Sequence, residues 1–524
     1  MEGDEALWSF GKGEREKRPS RKKVFLAILS GLLLTAAFPP LGLSLVAWIA
    51  LVPLFFSLDN EPPSVAFRLG LIAGLVHFLS LIYWIAEVLG RYGNLHFLVS
   101  LVPLGLLCLY LALYLGLFSL LVLHVRDSRF LPLFASCFWV CLEFVRAKAL
   151  TGFPWCLLGY SQYTNLPLVQ VTDLTGVYGL SFLIVFSNGL IFSWMRKHPH
   201  RTMSTSIVNT GLFVCMLGLV LVYGHKCLSE VPKAKGGEKE MTVSVIQANI
   251  DQSVKWDPQF QEETLAIYER LTRAAKGSDP DVIVWPETAV PFFFQDRPKL
   301  AAKVRALAKE SGVTLIFGSP AYRRVNGKIE YYNRAYMISN DGKGGQFYDK
   351  VHLVPFGEYV PLKSLLFFVD RLVPAAGDFK SGDKIAPLSF GDLAAGVLIC
   401  FEAVFPGLAN AHRRAGANFL VNLTNDAWFG MTSAPYQHLS MAVFRAVENR
   451  LPMIRAANTG FSAFVTPRGK IVRQTGLFRE EVLTGTISLR QHPVTFYARH
   501  GDIFSGIVLI LSLAKILSTF RKGR

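Results

Sequence analysis

Eight strongly apolar runs, at about 24–38, 42–58, 65–89, 95–125, 131–145, 177–195, 206–224 and 503–519, limit what this chain can fold into. Most approach the roughly 20 residues that an α-helix needs to cross a hydrocarbon layer. A water-soluble protein would have to bury all of them beneath a surface rich in charge, with about a quarter of its residues charged. Here only 18% are charged, 51% are hydrophobic, and 40 residues are Phe. Lipid is therefore part of the solvent, and disorder, collagen and a secreted disulfide scaffold are excluded. The first run is short and follows a basic stretch, as a secretory signal does. However, FPPLG joins it directly to the second run, and the pair reads as a helical hairpin. The expectation is eight membrane helices.

Lys and Arg number 54 against 38 Asp and Glu, a formal charge of +16. Such an excess suits nucleic acid, anionic lipid or acidic substrates, and its position decides between them. It gathers in GKGEREKRPSRKK, RKHPHR and RKGR, each beside an apolar run and without a nucleic-acid-binding motif. These are topology signals, and no nucleic-acid partner is expected. A cytoplasmic N-terminus keeps most of the basic residues inside and leaves only Arg91, Arg146 and Lys148 in the outer short loops. Seven crossings then place residues 228–500 on the outer face, which in a Gram-negative host is the periplasm. The expected division is a basic cytoplasmic N-terminus (1–23), a seven-helix membrane domain (24–227) with a linking loop near 146–176, an outer domain (228–500), and a closing helix with a cytoplasmic tail (501–524).

The outer segment has globular texture. MTVSVIQANI (241–250), DVIVW (281–285), VTLIFG (313–318), AAGVLIC (394–400) and NFLVNLT (418–424) read as buried strands. Asp257-Pro258 looks like the N-cap and first turn of a helix that presents Leu265, Tyr268 and Leu271 on one face, and a second helix is expected over 298–311. The segment is α/β or α+β and long enough for its own core.

Three stretches put a reactive side chain at the end of a strand-like run: Glu287 in VIVWPET, Lys350 in FYDKVHLVPFGEYVP, and Cys400 in GVLICFE. Strand ends along one sheet edge converge on a cleft. A carboxylate can take a thiol proton, the thiolate can attack a carbonyl, and an ammonium can stabilise the resulting oxyanion. Taken singly, each has a structural explanation: a buried small hydrophobe for Cys400, a helix-start carboxylate for Glu287, a solvated turn for Lys350. The seven cysteines have neither metal nor disulfide spacing, and all but Cys400 lie in or beside apolar runs. His352 and His438 lack metal-ligand company, so no metal or cofactor is expected. Glu143 and Arg146, three apart near a helix end, read as a structural pair, and Glu87 is ambiguous. Asn422-Leu423-Thr424 fits a glycosylation sequon but lies inside a strand pattern.

In order, VWPE, DKVHLVPFGEYVP, GVLICFE, NLTNDAWFG and RAANTG closely resemble the nitrilase (carbon–nitrogen hydrolase) superfamily, and the apolar half narrows the resemblance to the bacterial apolipoprotein N-acyltransferase family. WVCLEFVRAKALTGFPWCLLGYSQ (139–162) is similar to that family's linking region. The resemblance implies an α/β nitrilase-like αββα sandwich on eight transmembrane helices in the bacterial inner membrane. By motif, it implies Glu287 as general base, Lys350 as oxyanion-stabilising cation and Cys400 as nucleophile. It also implies a supporting carboxylate in Glu358, which would orient Lys350 or the incoming amine, and places Glu402 and Trp256 in the active-site region. The residue after the nucleophile, often Tyr in that family, is Phe401 here: the ring is kept, the hydroxyl lost, and the backbone N–H retained as an oxyanion donor.

The implied reaction is ping-pong: Cys400 takes an acyl chain from a membrane phospholipid as a thioester, and the N-terminal amine of a diacylglyceryl apolipoprotein then receives it as an amide. The expected partners are thus these two lipids, with the protein a monomer. Physical magnitudes agree with a site at the bilayer. Drawing an acyl chain of about sixteen carbons into water costs on the order of 0.8 kcal/mol per methylene, more than 10 kcal/mol in all. LKSLLFFVDRLVP (362–374), with Leu365, Leu366, Phe367 and Phe368 contiguous, is expected to form an arm that dips into the interface and gates lipid entry, or else a helix packed on the domain's own core. Two rivals remain: a membrane-tethered amidase with water as the second nucleophile, and a non-catalytic lipid-binding or transport protein.

Overall fold

A computed structural model describes residues 18–93, 96–196, 203–230, 239–361, 378–490 and 492–522. Leu365, Leu366, Phe367 and Phe368 of the expected arm lie outside the described residues.

The apolar runs fold as helices, but unequally. Among the described residues, four helices are long and apolar enough to cross a membrane: Pro63–Leu81, Phe97–Leu123, Val177–Met195 and Ser206–Ser229. The run at 42–58 is not one continuous helix. It forms a 3-10 turn, Ser44–Trp48, and a short helix, Val52–Leu58, whose first turn contains Pro53. At 1.5 Å per residue that helix spans only about 10 Å, well short of a bilayer's core. The run at 65–89 likewise breaks after Leu81 and resumes as Trp84–Tyr92. Pro63–Leu81 and Phe97–Leu123 approach closely because small residues face each other: a Cβ on Gly74 would sit 2.7 Å from Ala112 Cα, and one on Gly70 would sit 2.2 Å from Ser119 Oγ.

Among the described residues, the remainder is built on two six-stranded sheets. In chain order the strands are β1 Glu240–Gln247, β2 Val282–Val284, β3 Thr314–Val325, β4 Lys328–Ile338, β5 Gln346–Asp349, β6 Leu388–Phe390, β7 Leu393–Ile399, β8 Phe419–Thr424, β9 Met453–Ala457, β10 Ala463–Val465, β11 Ile471–Gln474 and β12 Glu481–Ser488. The first sheet runs β12-β1-β2-β3-β4-β5 and the second β11-β10-β9-β8-β7-β6. Parallel pairs, β1–β2–β3 and β7–β8–β9, occupy the centre of each, and antiparallel strands flank them.

Strand alternation sorts the side chains into layers. Val243, Val245, Val282 and Val284 of the first sheet meet Val397, Ile399, Val421 and Ile454 of the second in a core between the sheets. On the outer face of the first sheet, Ile246, Ile283, Leu315 and Phe317 pack on Leu265, Tyr268 and Leu271 of helix Gln261–Ala275 and on Val304 and Leu307 of helix Pro298–Ser311. Asp257 caps the turn that leads into the first of these helices, its side chain accepting from Gln259 N. On the outer face of the second sheet, Leu398, Leu420 and Met453 pack on Ala442, Val443 and Ala446 of helix Ala434–Asn449. The architecture is therefore the expected αββα sandwich. Helix Ala434–Asn449 has a second allegiance: Ala434, Met441, Phe444 and Val447 belong to the same core as the apolar helices. The two halves are packed together through it.

Candidate active site

Glu287, Lys350 and Cys400 follow strands β2, β5 and β7, two from one sheet and one from the other. The segment carrying Glu287 is fixed by Trp285, fully buried, whose Nε1 donates to Thr272 Oγ1 at 3.0 Å while its ring stacks on Tyr268 at 4.8 Å. Pro286 ends the strand, and Thr288 turns the chain at φ +50°. β3 passes so near that only glycine fits at 318: a Cβ there would lie 2.5 Å from Thr288 N. Lys350 follows Asp349, which Arg334 holds at 2.5 Å and Arg323 also engages.

Cys400 directly follows β7 at φ +51°, left-handed and strained for a residue with a side chain, and opens the 3-10 turn Cys400–Val404. The same sharp exit from a strand lifts a nucleophile clear of its sheet.

The Lys350 ammonium, 1% exposed, lies 2.9 Å from Glu358 Oε1 and 3.8 Å from Glu287 Oε1. Asn333 Nδ2 donates to the same two carboxylates, at 2.8 Å to Glu287 and 2.9 Å to Glu358. Glu358 Oε2 also accepts from Val354 N at 2.8 Å, which ties the Lys350 loop to itself. Burial alone would drive the Lys350 proton off, but the charges of Glu358 and Glu287 outweigh it and hold the ammonium protonated. Burial pushes the Cys400 thiol up, and Glu287 adds to this while Lys350 only partly offsets it. The resting thiol therefore keeps its proton, which must leave during attack. Glu287 Oε2, buried and with no hydrogen-bond partner among the described residues, is the available acceptor.

Glu402, fully buried, ties Lys350 to Cys400 from below. Its Oε1 accepts from Val351 N at 2.7 Å, Tyr348 Oη at 2.9 Å and His352 N at 3.1 Å; its Oε2 accepts from Ile399 N at 2.7 Å. One carboxylate thus holds the residues beside both reactive groups. Burial pushes it up to about 7, against the pull of these N–H donors. Phe401 stacks on Trp155 of the linking region (ring centroids 6.4 Å apart) and meets Phe405 edge-on at 5.0 Å. Trp256, 47% exposed, is one wall of a cavity of about 380 Å³ with Phe293, Arg297, Tyr331 and Phe379, a lining that includes none of Glu287, Lys350 and Cys400.

Several residues at this site had no role assigned to them from the sequence. Lys255, beside Trp256, is buried, donates to the Glu287 carbonyl at 3.2 Å, and is lowered by burial to about 8. Asn333 sits in the unremarkable run YYNRAYM. Asp426, His438 and Arg455 form a buried cluster behind Cys400, and NLTNDAWFG and RAANTG already marked two of its segments. Asn422 of the apparent sequon is fully buried, donating to Leu398 O at 2.9 Å, and is closed to modification. Glu143 and Arg146 are both buried, and Glu143 Oε1 accepts from Leu158 N at 2.7 Å, pinning the linking region to its helix; Glu87 is exposed. Among the described residues no cluster of ligands suited to a metal ion occurs.

Residues 30–190 match the family described as apolipoprotein N-acyltransferase N-terminal domain, and residues 242–492 match carbon-nitrogen hydrolase. An apolipoprotein N-acyltransferase of Geobacter metallireducens is 46% identical over 503 residues, 94% of this chain and 95% of that protein. One from Pasteurella multocida is 31% identical over 508 residues, 94% of this chain and 96% of that protein. Among solved structures, a carbon-nitrogen hydrolase from Helicobacter pylori is similar to 53% of this chain and 99% of its own, with 18% identity and a TM-score of 0.39.

Proposed function

The chain belongs to the apolipoprotein N-acyltransferase family, and from that premise we propose that it moves an acyl chain from a membrane phospholipid to the N-terminal amine of a diacylglyceryl apolipoprotein through a thioester on Cys400. The observation that carries this reading is the buried Glu287–Lys350–Glu358 cluster acting on the Cys400 thiol, in a site whose nucleophile segment packs through Phe401 on Trp155 of the apolar half.

Each group has a task that its surroundings suit. Glu287 takes the thiol proton as Cys400 attacks the ester carbonyl and returns it to the lysophospholipid alkoxide. Lys350, kept charged, stabilises the oxyanion with Phe401 N–H. In the second half Glu287 takes a proton from the amine as it attacks the thioester, and the thiol is restored on collapse. Glu358 and Asn333 hold Lys350 and Glu287 in register, and Glu402 holds the two reactive segments together. Trp256 lines the substrate approach.

The apolar half supplies the setting. We place its eight apolar segments, including the broken one at 42–58 and the closing helix Ile503–Lys522, in the bacterial inner membrane. Both termini are then cytoplasmic, and residues 228–500 form a periplasmic catalytic domain in a monomer. The Lys/Arg bias of the short loops supports this orientation.

The experiment follows a labelled acyl chain from phospholipid in the presence of a diacylglyceryl peptide. Label in the peptide amide is the expected result. Label released chiefly as free fatty acid contradicts it and favours a tethered hydrolase.

A further inference from the structure

Behind the nucleophile, His438 Nε2 lies 3.2 Å from the carbonyl oxygen of Cys400. Its Nδ1 lies 3.0 Å from Asp426 Oδ1 and 3.1 Å from Arg455 Nη2. Arg455 Nη2 also reaches Asp426 Oδ2 at 2.7 Å, and Thr424 Oγ1 donates to Asp426 Oδ1 at 2.9 Å. His438, Asp426, Arg455 and Thr424 are all fully buried. The Trp155 ring covers the imidazole at 5.7 Å, and Phe429 lies 6.2 Å away.

A carbonyl oxygen only accepts, so the proton on this side of the ring belongs to Nε2. Nδ1 faces two partners, the Arg455 N–H, which donates to it in a neutral ring, and the Asp426 carboxylate, and neither competes for the Nε2 proton that the carbonyl takes. Burial and the Arg455 charge lower His438, which agrees with a neutral ring. The peptide that receives this hydrogen bond joins Cys400 to Phe401, immediately after a left-handed residue, where β7 no longer holds the chain. A trans peptide is planar, with its C=O and N–H pointing in opposite directions. Fixing one pole fixes the other.

We propose that His438 is a positioning residue for acyl transfer: by donating to the Cys400 carbonyl it sets the Cys400–Phe401 peptide plane, and so aims Phe401 N–H at the oxyanion of both tetrahedral intermediates. Asp426, Arg455 and Thr424 hold the ring in place, and Trp155 of the linking region covers it. Cys400 strain is thus supported from outside its own turn. This inference rests on the reading of Cys400 as the acylated nucleophile.

The test uses the full chain in mixed phospholipid–detergent micelles. Single-turnover acylation by a fluorescent-acyl phospholipid and transfer from the acyl-enzyme to a diacylglyceryl peptide are measured separately. In His438→Phe both rate constants are expected to fall about 100-fold or more, the scale of a lost oxyanion donor, with donor KM unchanged to within about threefold. His438→Gln, whose amide nitrogen reaches the place of Nε2, is expected to recover to within roughly tenfold of the parent. His438→Asn, whose amide reaches only the place of Nδ1, is not. Where His438→Phe fails to fold, the Gln–Asn comparison carries the test. Parent-like rates in the Phe or Asn variants, a loss confined to KM, or a Gln variant no better than Asn would overturn the proposal. A parent protein that forms no acyl-Cys400 overturns the reading of the site, and this inference with it.

Discussion

Replacement of Lys350 by methionine is expected to lower acyl transfer by about 10³-fold or more, because the oxyanion loses a charged donor in a buried site. The same change strands two carboxylates. Glu287 and Glu358 share this ammonium at 3.8 and 2.9 Å, and Asn333, which donates to both, brings no charge. Removing one partner of a buried ion pair costs roughly 3–5 kcal/mol, so a lower Tm should accompany the loss of activity. The two effects separate in Lys350→Met/Glu358→Gln. Neutralising one stranded carboxylate should recover most of the Tm and none of the transfer rate. A Lys350→Met protein that keeps more than about a tenth of parental activity would remove the cation from the mechanism.

Glu402 should be nearly as sensitive, for a different reason. Its carboxylate accepts from three backbone N–H groups and the Tyr348 hydroxyl. Glu402→Ala leaves four donors without an acceptor, two of them fully buried at roughly 1–3 kcal/mol each, and releases the residues beside Lys350 and Cys400 together. Transfer should fall to background and Tm should drop steeply. Glu402→Gln keeps one acceptor oxygen and is the milder variant, suited to a pH test. Burial raises Glu402 from the ordinary 4.5 to about 7, so the folded protein retains a proton that the unfolded chain has lost across that interval. The stability linked to this proton is fully present below about 4.5 and declines as pH rises through 7, by on the order of 3 kcal/mol. Gln does not titrate. The Tm deficit of Glu402→Gln relative to the parent should therefore be larger at pH 5 than at pH 7.5, and equal deficits would contradict the assignment.

Much of this site was legible because its three reactive groups each follow an apolar run that ends abruptly. Pro286 stops one strand, Asp349 closes another, and Cys400 terminates GVLI. Such endings are local, and the five ordered motifs added the family. Asn333, Lys255 and the Asp426–His438–Arg455 cluster were not legible, since their roles arise from atoms that meet across segments far apart in sequence. His438 was judged by its lack of metal-ligand neighbours, whereas its work is to hold a backbone carbonyl. The hairpin between β3 and β4 is a different kind of miss. Asn326 and Gly327, at φ +50° and +78°, form the two-residue turn that Asn-Gly favours, a signal present in the sequence itself. In the apolar half, runs were easier to see than helices. Apolarity averaged over a window does not register Pro53, which opens the short helix at Val52–Leu58, or the break at Ile82–Tyr83.

In the proposed reaction a single thiol carries the acyl chain between two lipids. Incubating the intact protein with phospholipid alone, quenching in acid and weighing the peptide that contains Cys400 tests it most directly. The expected result is a mass gain of one acyl group on Cys400, removable by hydroxylamine, chased into amide by a diacylglyceryl peptide, and absent from Cys400→Ala. An unmodified Cys400 in a protein that still acylates the peptide, or an adduct that persists in Cys400→Ala, would contradict it.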